Sequence, residues 1–130
     1  MIEVPLAVSH MDLCPLYEDC AFLEAWPGVP VGNEEGEIIS AALGDKRAIL
    51  LSHHGQLSTG ASIEEACVIA QLIERAAKLQ LLAMAAGTIK PILPELGREA
   101  HDWISKPKRH SAAFNYYARQ NLKKHADCLN

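Results

Sequence analysis

The sequence has few aromatic side chains and lacks the motifs that mark several common kinds of site. Aromatic residues make up 5% of its 130 residues, and no Gly-x-Gly-x-x-Gly run is present that would bind a dinucleotide. The four cysteines form no Cys-x-x-Cys pair. No basic and apolar leader precedes them, so we expect reduced thiols and a cytoplasmic protein. A catalytic or zinc-binding role for the cysteines is therefore disfavoured.

An excess of one charge and long hydrophobic runs are missing as well. The formal net charge is -4, and acidic and basic residues are interspersed. This distribution gives no reason to expect a nucleic acid or an anionic membrane as a partner. No apolar run approaches the roughly 20 residues that a membrane-spanning helix needs. With 49% apolar and 22% charged residues, the composition is typical of a globular domain that has its own core.

The most informative stretch lies near the middle of the chain. Ala48–Leu51 is a short apolar run without helical spacing and is bounded by turn-forming residues, which predicts a buried strand. His53 and His54 follow at its C-terminal end, where α/β sheets often carry ligands and catalytic groups. Gly55 allows the backbone to turn there. Residues 56–59 then predict a second short strand.

The histidine pair is the first candidate for a functional site. On an extended strand two adjacent side chains point to opposite faces, so we expect only one of His53 and His54 to face a site. A histidine serves as a ligand or catalytic group in some proteins and packs as a structural residue in many others. His10 and Asp12 would share a face if extended. They could hydrogen-bond to the residues that bind a metal or substrate, or they could belong to a polar loop.

Residues that are typical of helix ends predict two helices. Asn33 is a candidate N-cap for an amphipathic helix of about ten residues that Gly44 ends. Ser62 and Glu65 fit a capping box that opens a longer helix, which runs to about Ala86. Most positions of this longer helix are apolar, so we expect it to be buried on more than one side. Another subunit or a further part of the fold would cover it.

Shorter patterns complete the chain. The first eight residues are β-leaning, Cys20–Leu23 predicts a short strand, and residues 95–105 and 111–126 predict two further helices. The side chains predicted to face inward are Leu96, Ala100, Trp103 and Ile104 in the first of these helices and Phe114, Tyr117, Ala118 and Leu122 in the second.

An ordered series of motifs resembles the class II aldolase/adducin family. The series contains an apolar strand, a His-His-Gly turn, a short strand that ends in Gly, a helix start of the form Ser-x-x-Glu-Ala, and a helix rich in Leu and Ala that includes Ile73–Ala83. It also includes, in chain order, Pro5–Asp12, Asp19–Cys20, Trp26–Pro30 and Glu34–Gly36, so it spans about residues 4–90.

The resemblance implies a fold, a metal and a reaction. The fold would be α/β, part of a three-layer α/β/α domain with a mixed or mainly antiparallel sheet. Residues 1–90 would form the C-terminal half of a class II aldolase-like domain, and residues 91–130 would be a helical extension of it. His54 would be a metal ligand, and Zn²⁺ or another divalent ion would be the cofactor. The substrate would be a small sugar-derived carbonyl compound, cleaved at a C–C bond through an enediolate.

One part of the family pattern has no counterpart in the sequence. The family's His-x-His ligand pair and its acid/base Glu precede the matching segment, and this chain contains no His-x-His. The resemblance therefore implies a truncated domain that is inactive alone and works with a separate N-terminal half or in a homo-oligomer, such as the family's tetramer. The alternatives are a non-catalytic, adducin-like interaction module and an inactive remnant.

Overall fold

A computed structural model of the chain describes residues 4–25, 28–29 and 32–129, without the side chains of residues 128–129. Most of the Trp26–Pro30 segment lies outside these residues. In chain order the elements are a 3₁₀ helix (Met11–Leu16), β1 (Cys20–Leu23), α1 (Glu34–Leu43), β2 (Ala48–Leu51), β3 (Gly55–Ser58), α2 (Ile63–Ala86), α3 (Pro94–Ile104), α4 (Pro107–Lys124) and a second 3₁₀ helix (Ala126–Leu129).

The three strands form one mixed sheet in the order β1-β2-β3. β1 and β2 are parallel, and α1 provides the crossover that a parallel pair requires. β2 and β3 form an antiparallel hairpin in which Leu51 pairs with Gly55. This arrangement confirms the predicted α/β class and both strands of the central stretch.

The sheet has a core on each face because successive side chains of a strand point to opposite sides. Ile49 and Leu51 face α1 and pack against its apolar side chains. Ala48 faces the other way and joins the larger core, which α2 and the first 3₁₀ helix build. Helices on both faces explain why β2 is apolar at every position.

α2 has the start and length that the sequence predicts. The Ser62 hydroxyl accepts a hydrogen bond from the Glu65 N–H at 3.2 Å, and the Glu65 carboxylate accepts one from the Ala61 N–H at 2.8 Å. The buried residues of the helix lie between Val68 and Gln80 on one face, so the expected burial on more than one side is not seen within the described residues. Its last turns leave Leu82, 62% exposed, and Met84, 42% exposed, uncovered. None of the described helices is long and apolar enough to cross a membrane.

The chain differs from the predictions at its N-terminus. Residues 4–8 form no strand, although three of their backbone groups accept or donate hydrogen bonds. The side chain of Gln80 replaces a strand partner: its Oε1 accepts from the Ala7 N–H at 2.7 Å, and its Nε2 donates to the Pro5 carbonyl at 3.1 Å. These bonds explain why a glutamine on α2 is buried.

The C-terminal helices also depart from the predictions. α4 begins at Pro107 and not at Ser111, since proline fits the first position of a helix. Leu96 and Trp103 were predicted to face inward, but they are 50% and 60% exposed. α3 packs mainly against the first 3₁₀ helix, which is too short to cover a wide face. Of the predicted inward residues, Ala100, Ile104, Phe114 and Tyr117 pack against the core, whereas Leu122 is exposed.

Candidate functional site

His53 and His54 lie in the tight turn between β2 and β3. The His54 N–H donates to the Leu51 carbonyl at 3.2 Å, and His53 has a φ of 59°. The expectation that both lie on an extended strand was therefore wrong, because three residues must reverse the chain here. Histidine adopts a positive φ more readily than most residues do, which suits His53 to this place. The opposite-faces argument no longer applies to this pair.

The side chain of His54 faces a carboxylate from α1. Its Nε2 lies 3.7 Å from Oε1 of Glu35, and the two side chains are 50% and 17% exposed. Glu35 is one of three acidic residues in the first turn of α1, where the helix dipole favours carboxylates. Its position four residues before Ile39, which packs against the sheet, was the signal that it belongs to the inner face of α1.

The carboxyl ends of β1 and β2 meet beside this turn. The Ser52 N–H donates to the Leu23 carbonyl at 3.0 Å, which joins the chain just after β2 to the end of β1. Ser52 is 1% exposed, and its hydroxyl has no hydrogen-bond partner among the described residues. Polar side chains from α1 and from the β2–β3 turn therefore lie at this end of the sheet.

His10 and Asp12 occupy a separate place. The Nδ1 of His10 accepts from the Asp12 N–H at 3.2 Å and so caps the first 3₁₀ helix, and both side chains are about half exposed. Within the described part of the chain neither residue has a hydrogen bond or an ion pair with His54. His10 instead lines a groove along α2 with Leu82 and Arg75. The suggestion that they support the site stays a prediction.

A second polar cluster lies at the opposite, amino end of the sheet. Arg47 immediately precedes β2, and its guanidinium binds the carboxylates of Asp19, through Nε, and Glu65, at 2.8 Å from Nη1. Its Nη2 also contacts the Pro15 carbonyl, Nε2 of His101 and the Ser105 hydroxyl. We call Arg47, Asp19, Glu65, His101, Ser105 and His110 the Arg47 cluster.

The charges of the Arg47 cluster depend on burial and on these contacts. Burial raises the pKa of Glu65, but hydrogen bonds from the Ala61 N–H and from Arg47 outweigh it, and the pKa lies below its usual value. His110 is 4% exposed, and its Nδ1 lies 3.3 Å from Glu65. Burial lowers the pKa of His110 although Glu65 opposes the shift. The cluster thus contains an arginine with two carboxylates and a neutral His110.

Sequence reasoning missed this cluster because its members come from five separate segments. A charged residue directly beside a buried strand, as Arg47 is beside β2, was the available signal. The cluster joins α3 and α4 to the rest of the fold. It lies at the end of the sheet away from His54, which points to a structural role.

Metal-binding groups are sparse in the described residues. No three His, Cys, Asp or Glu side chains there lie close enough together to hold an ion. His54 and Glu35 supply one nitrogen and one oxygen donor. Burial, with a smaller contribution from Asp19, raises the pKa of Cys20 to about 11, so its thiol is protonated at neutral pH and is a poor ligand.

Comparison with known proteins gives consistent matches over this chain. The model of the family described as the class II aldolase and adducin N-terminal domain matches residues 5–81. The 4-hydroxy-3-prenylphenylpyruvate oxygenase/4-hydroxy-3-prenylbenzoate synthase of Streptomyces roseochromogenus subsp. oscitans is 33% identical over 87 residues, which are 67% of this chain and 31% of that protein. The decarboxylase NovR of Streptomyces niveus is 31% identical over 111 residues, covering 79% of this chain and 41% of NovR.

A solved structure agrees with these sequence matches. The L-fuculose 1-phosphate aldolase from Glaciozyma antarctica PI12 superposes with a TM-score of 0.81 at 28% identity, over 96% of this chain and 47% of that chain. This chain therefore spans less than half the length of each of these three proteins.

Proposed function

The chain belongs to the class II aldolase and adducin family, and on that premise we propose that it forms part of a metal-dependent lyase that breaks a carbon–carbon bond. His54 would hold the metal, and Zn²⁺ is the ion that we propose. The position of His54 supports this role, because the tight turn after β2 presents its half-exposed ring at the carboxyl end of the sheet.

The chemistry of the site fits such an ion. Imidazole nitrogen and carboxylate oxygen are both zinc donors, and His54 and Glu35 provide one of each. A bound zinc ion would supply a Lewis acid for the substrate's oxygens during bond cleavage. The backbone hydrogen bond from His54 to Leu51 fixes the turn that carries the imidazole, and the exposed half of the ring leaves room for a small carbonyl substrate.

The proposed ion needs more protein ligands than the described residues bring together. A catalytic zinc site typically has three protein ligands and an open position, and no such trio is present in the described parts of the chain. We propose that a neighbouring subunit of a homo-oligomer completes the site, so that the assembled protein binds the ion. In this view residues 1–90 carry the half-site and residues 91–130 are a helical extension that the Arg47 cluster fastens to it.

Two of these three relatives support a reaction class more than a substrate, whereas the third is named an oxygenase and synthase. One is named an aldolase and another a decarboxylase, and both of these reaction types break a carbon–carbon bond. A second candidate function is a non-catalytic interaction module. The exposed apolar end of α2, with Leu81, Leu82 and Met84 exposed, favours association with another subunit.

Metal content and assembly state test these two functions together. We would measure zinc per chain by elemental analysis on protein purified without chelators, and size the same sample by light scattering. We expect zinc in the wild type, its loss in His54→Ala and its retention in His53→Asn, which tolerates the positive φ of residue 53. Equal loss from both variants would contradict the assignment of His54. A stable oligomer without bound metal would favour the interaction module.

A further inference from the structure

We infer that Glu35 and His54 hold the same metal ion, so that Glu35 is a metal ligand that sequence reasoning did not identify. The inference rests on the metal-dependent function proposed above, and it adds a second ligand from within this chain. It concerns the gap between the N-terminal turn of α1 and the β2–β3 turn.

The distance between the two side chains is longer than a direct hydrogen bond and close to the spacing of two ligands of one ion. Nε2 of His54 and Oε1 of Glu35 are 3.7 Å apart, whereas an N–H···O bond to a carboxylate is about 2.7–3.2 Å long. Two ligands that each lie about 2.1 Å from one tetrahedral zinc ion are separated by roughly 3.4 Å. A closure of a few tenths of an ångström would therefore bring both atoms to the spacing of ligands of one ion.

The packing of α1 fixes where the carboxylate lies. Ile39 and Leu43 pack against Ile49 and Leu51 on one face of the sheet. Glu35 precedes Ile39 by four residues and so lies one turn further along the same face of the helix. The apolar contacts thus set the register of α1, and this register brings Glu35 to the end of β2 where His54 lies.

A partly buried carboxylate also needs a compensating charge. The side chain of Glu35 is 17% exposed, and within the described residues His54 is the one basic group within ion-pair distance of it. A divalent cation between the two side chains would balance the buried charge. Glu34 and Glu37 on the same turn are exposed and face no such requirement.

A metal titration tests the inference without any activity assay. We would measure the affinities for Zn²⁺ and Co²⁺ by competition with a chromophoric chelator, and record the visible spectrum of bound Co²⁺. The proteins would be the wild type, Glu35→Gln, His54→Ala and the double variant. Glu34→Gln is the matched control, because it removes the same charge from the neighbouring, exposed position of the same helix end.

We expect Glu35→Gln to weaken zinc binding at least about tenfold and to change the Co²⁺ spectrum, because an oxygen ligand is lost. Glu34→Gln should stay within about twofold of the wild type. In the His54→Ala background, Glu35→Gln should have little further effect, because the two residues act on one ion.

Three results would overturn the inference. If Glu35→Gln binds metal like the wild type while His54→Ala does not, Glu35 is no ligand although the proposed function stands. If affinity falls but the Co²⁺ spectrum is unchanged, Glu35 only orients His54. If the wild type binds neither ion, the proposed function fails, and this inference fails with it.

Discussion

Replacement of Arg47 with Met should test how strongly the Arg47 cluster stabilises the fold. The substitution keeps an unbranched side chain of similar length but removes the charge and all the donors. It leaves Asp19 and Glu65 without the cation that they share. It also leaves the Pro15 carbonyl, Nε2 of His101 and the Ser105 hydroxyl without the donor that Nη2 supplies.

The expected cost follows from burial. The side chains of Asp19 and Glu65 are 15% and 16% exposed, and that of Arg47 is 20% exposed. Loss of one partner from a buried ion pair costs about 3–5 kcal/mol. We expect a value near 3 kcal/mol here, because some water reaches the cluster. For a domain of this size the corresponding fall in Tm is roughly 10 °C.

Urea unfolding followed by circular dichroism at pH 7.5 measures the free energy of unfolding. Arg98→Met is the matched control, since Arg98 pairs with Glu18 where both side chains are 57% exposed. Such a surface pair contributes about 0–1 kcal/mol. The comparison therefore distinguishes the effect of removing the buried Arg47 guanidinium from the effect of removing a surface arginine.

The loss of stability in Arg47→Met should depend on pH. Burial raises the pKa of Glu65 and Arg47 helps to lower it, so the pKa should rise when Arg47 is absent. Glu65 can then take up a proton as the pH falls towards 4, and the difference from the wild type should narrow. An Arg47→Met variant within about 1 kcal/mol of Arg98→Met at pH 7.5 would refute the idea that the cluster holds the fold together.

Two further predictions concern neighbouring positions. Burial lowers the pKa of His110, so the free energy of unfolding should fall as the pH drops below about 6.5, the pKa of an unfolded histidine. Urea titrations between pH 7.5 and 5.5 should show that the free energy of unfolding depends less on pH in His110→Phe than in the wild type. The same pH dependence in both proteins would contradict this assignment. A Cβ at Gly97 would lie 2.6 Å from the Tyr17 ring. Gly97→Ala should therefore lower the free energy of unfolding, measured by thermal unfolding, by about 1–3 kcal/mol. The control is Gly36→Ala, whose Cβ would meet nothing within 4 Å and which should not lower the free energy of unfolding. Equal destabilisation of Gly97→Ala and Gly36→Ala would rule out the packing explanation.

Much of the local structure could be predicted because it depends on short-range patterns. The apolar run of β2, the Ser62 cap of α2 and the Gly44 end of α1 are each encoded within a few residues. Predictions failed where packing partners decided the outcome. Leu96 and Trp103 have helical spacing, yet nothing wide enough lies against α3 to bury them.

The candidate site was predictable only in part. His54 was identified through the resemblance, and its role as a metal ligand stays a prediction. The geometry expected of the histidine pair was wrong, since a turn of three residues replaces an extended strand. Glu35 was not identified from the sequence, because nothing in a single sequence shows which turn of one element meets which end of another.

The sequence by itself determined the order of the central elements, because apolar periods and helix caps are local properties of the chain. The family and its α/β class followed from the resemblance of the ordered motif series. The tertiary structure alone decided which charged groups meet. Arg47 contacts His101 across 54 positions of sequence, and Glu35 reaches His54 only because α1 crosses over the sheet between two parallel strands. Such contacts depend on how the apolar faces of the elements pack together, and their register is set by the whole core.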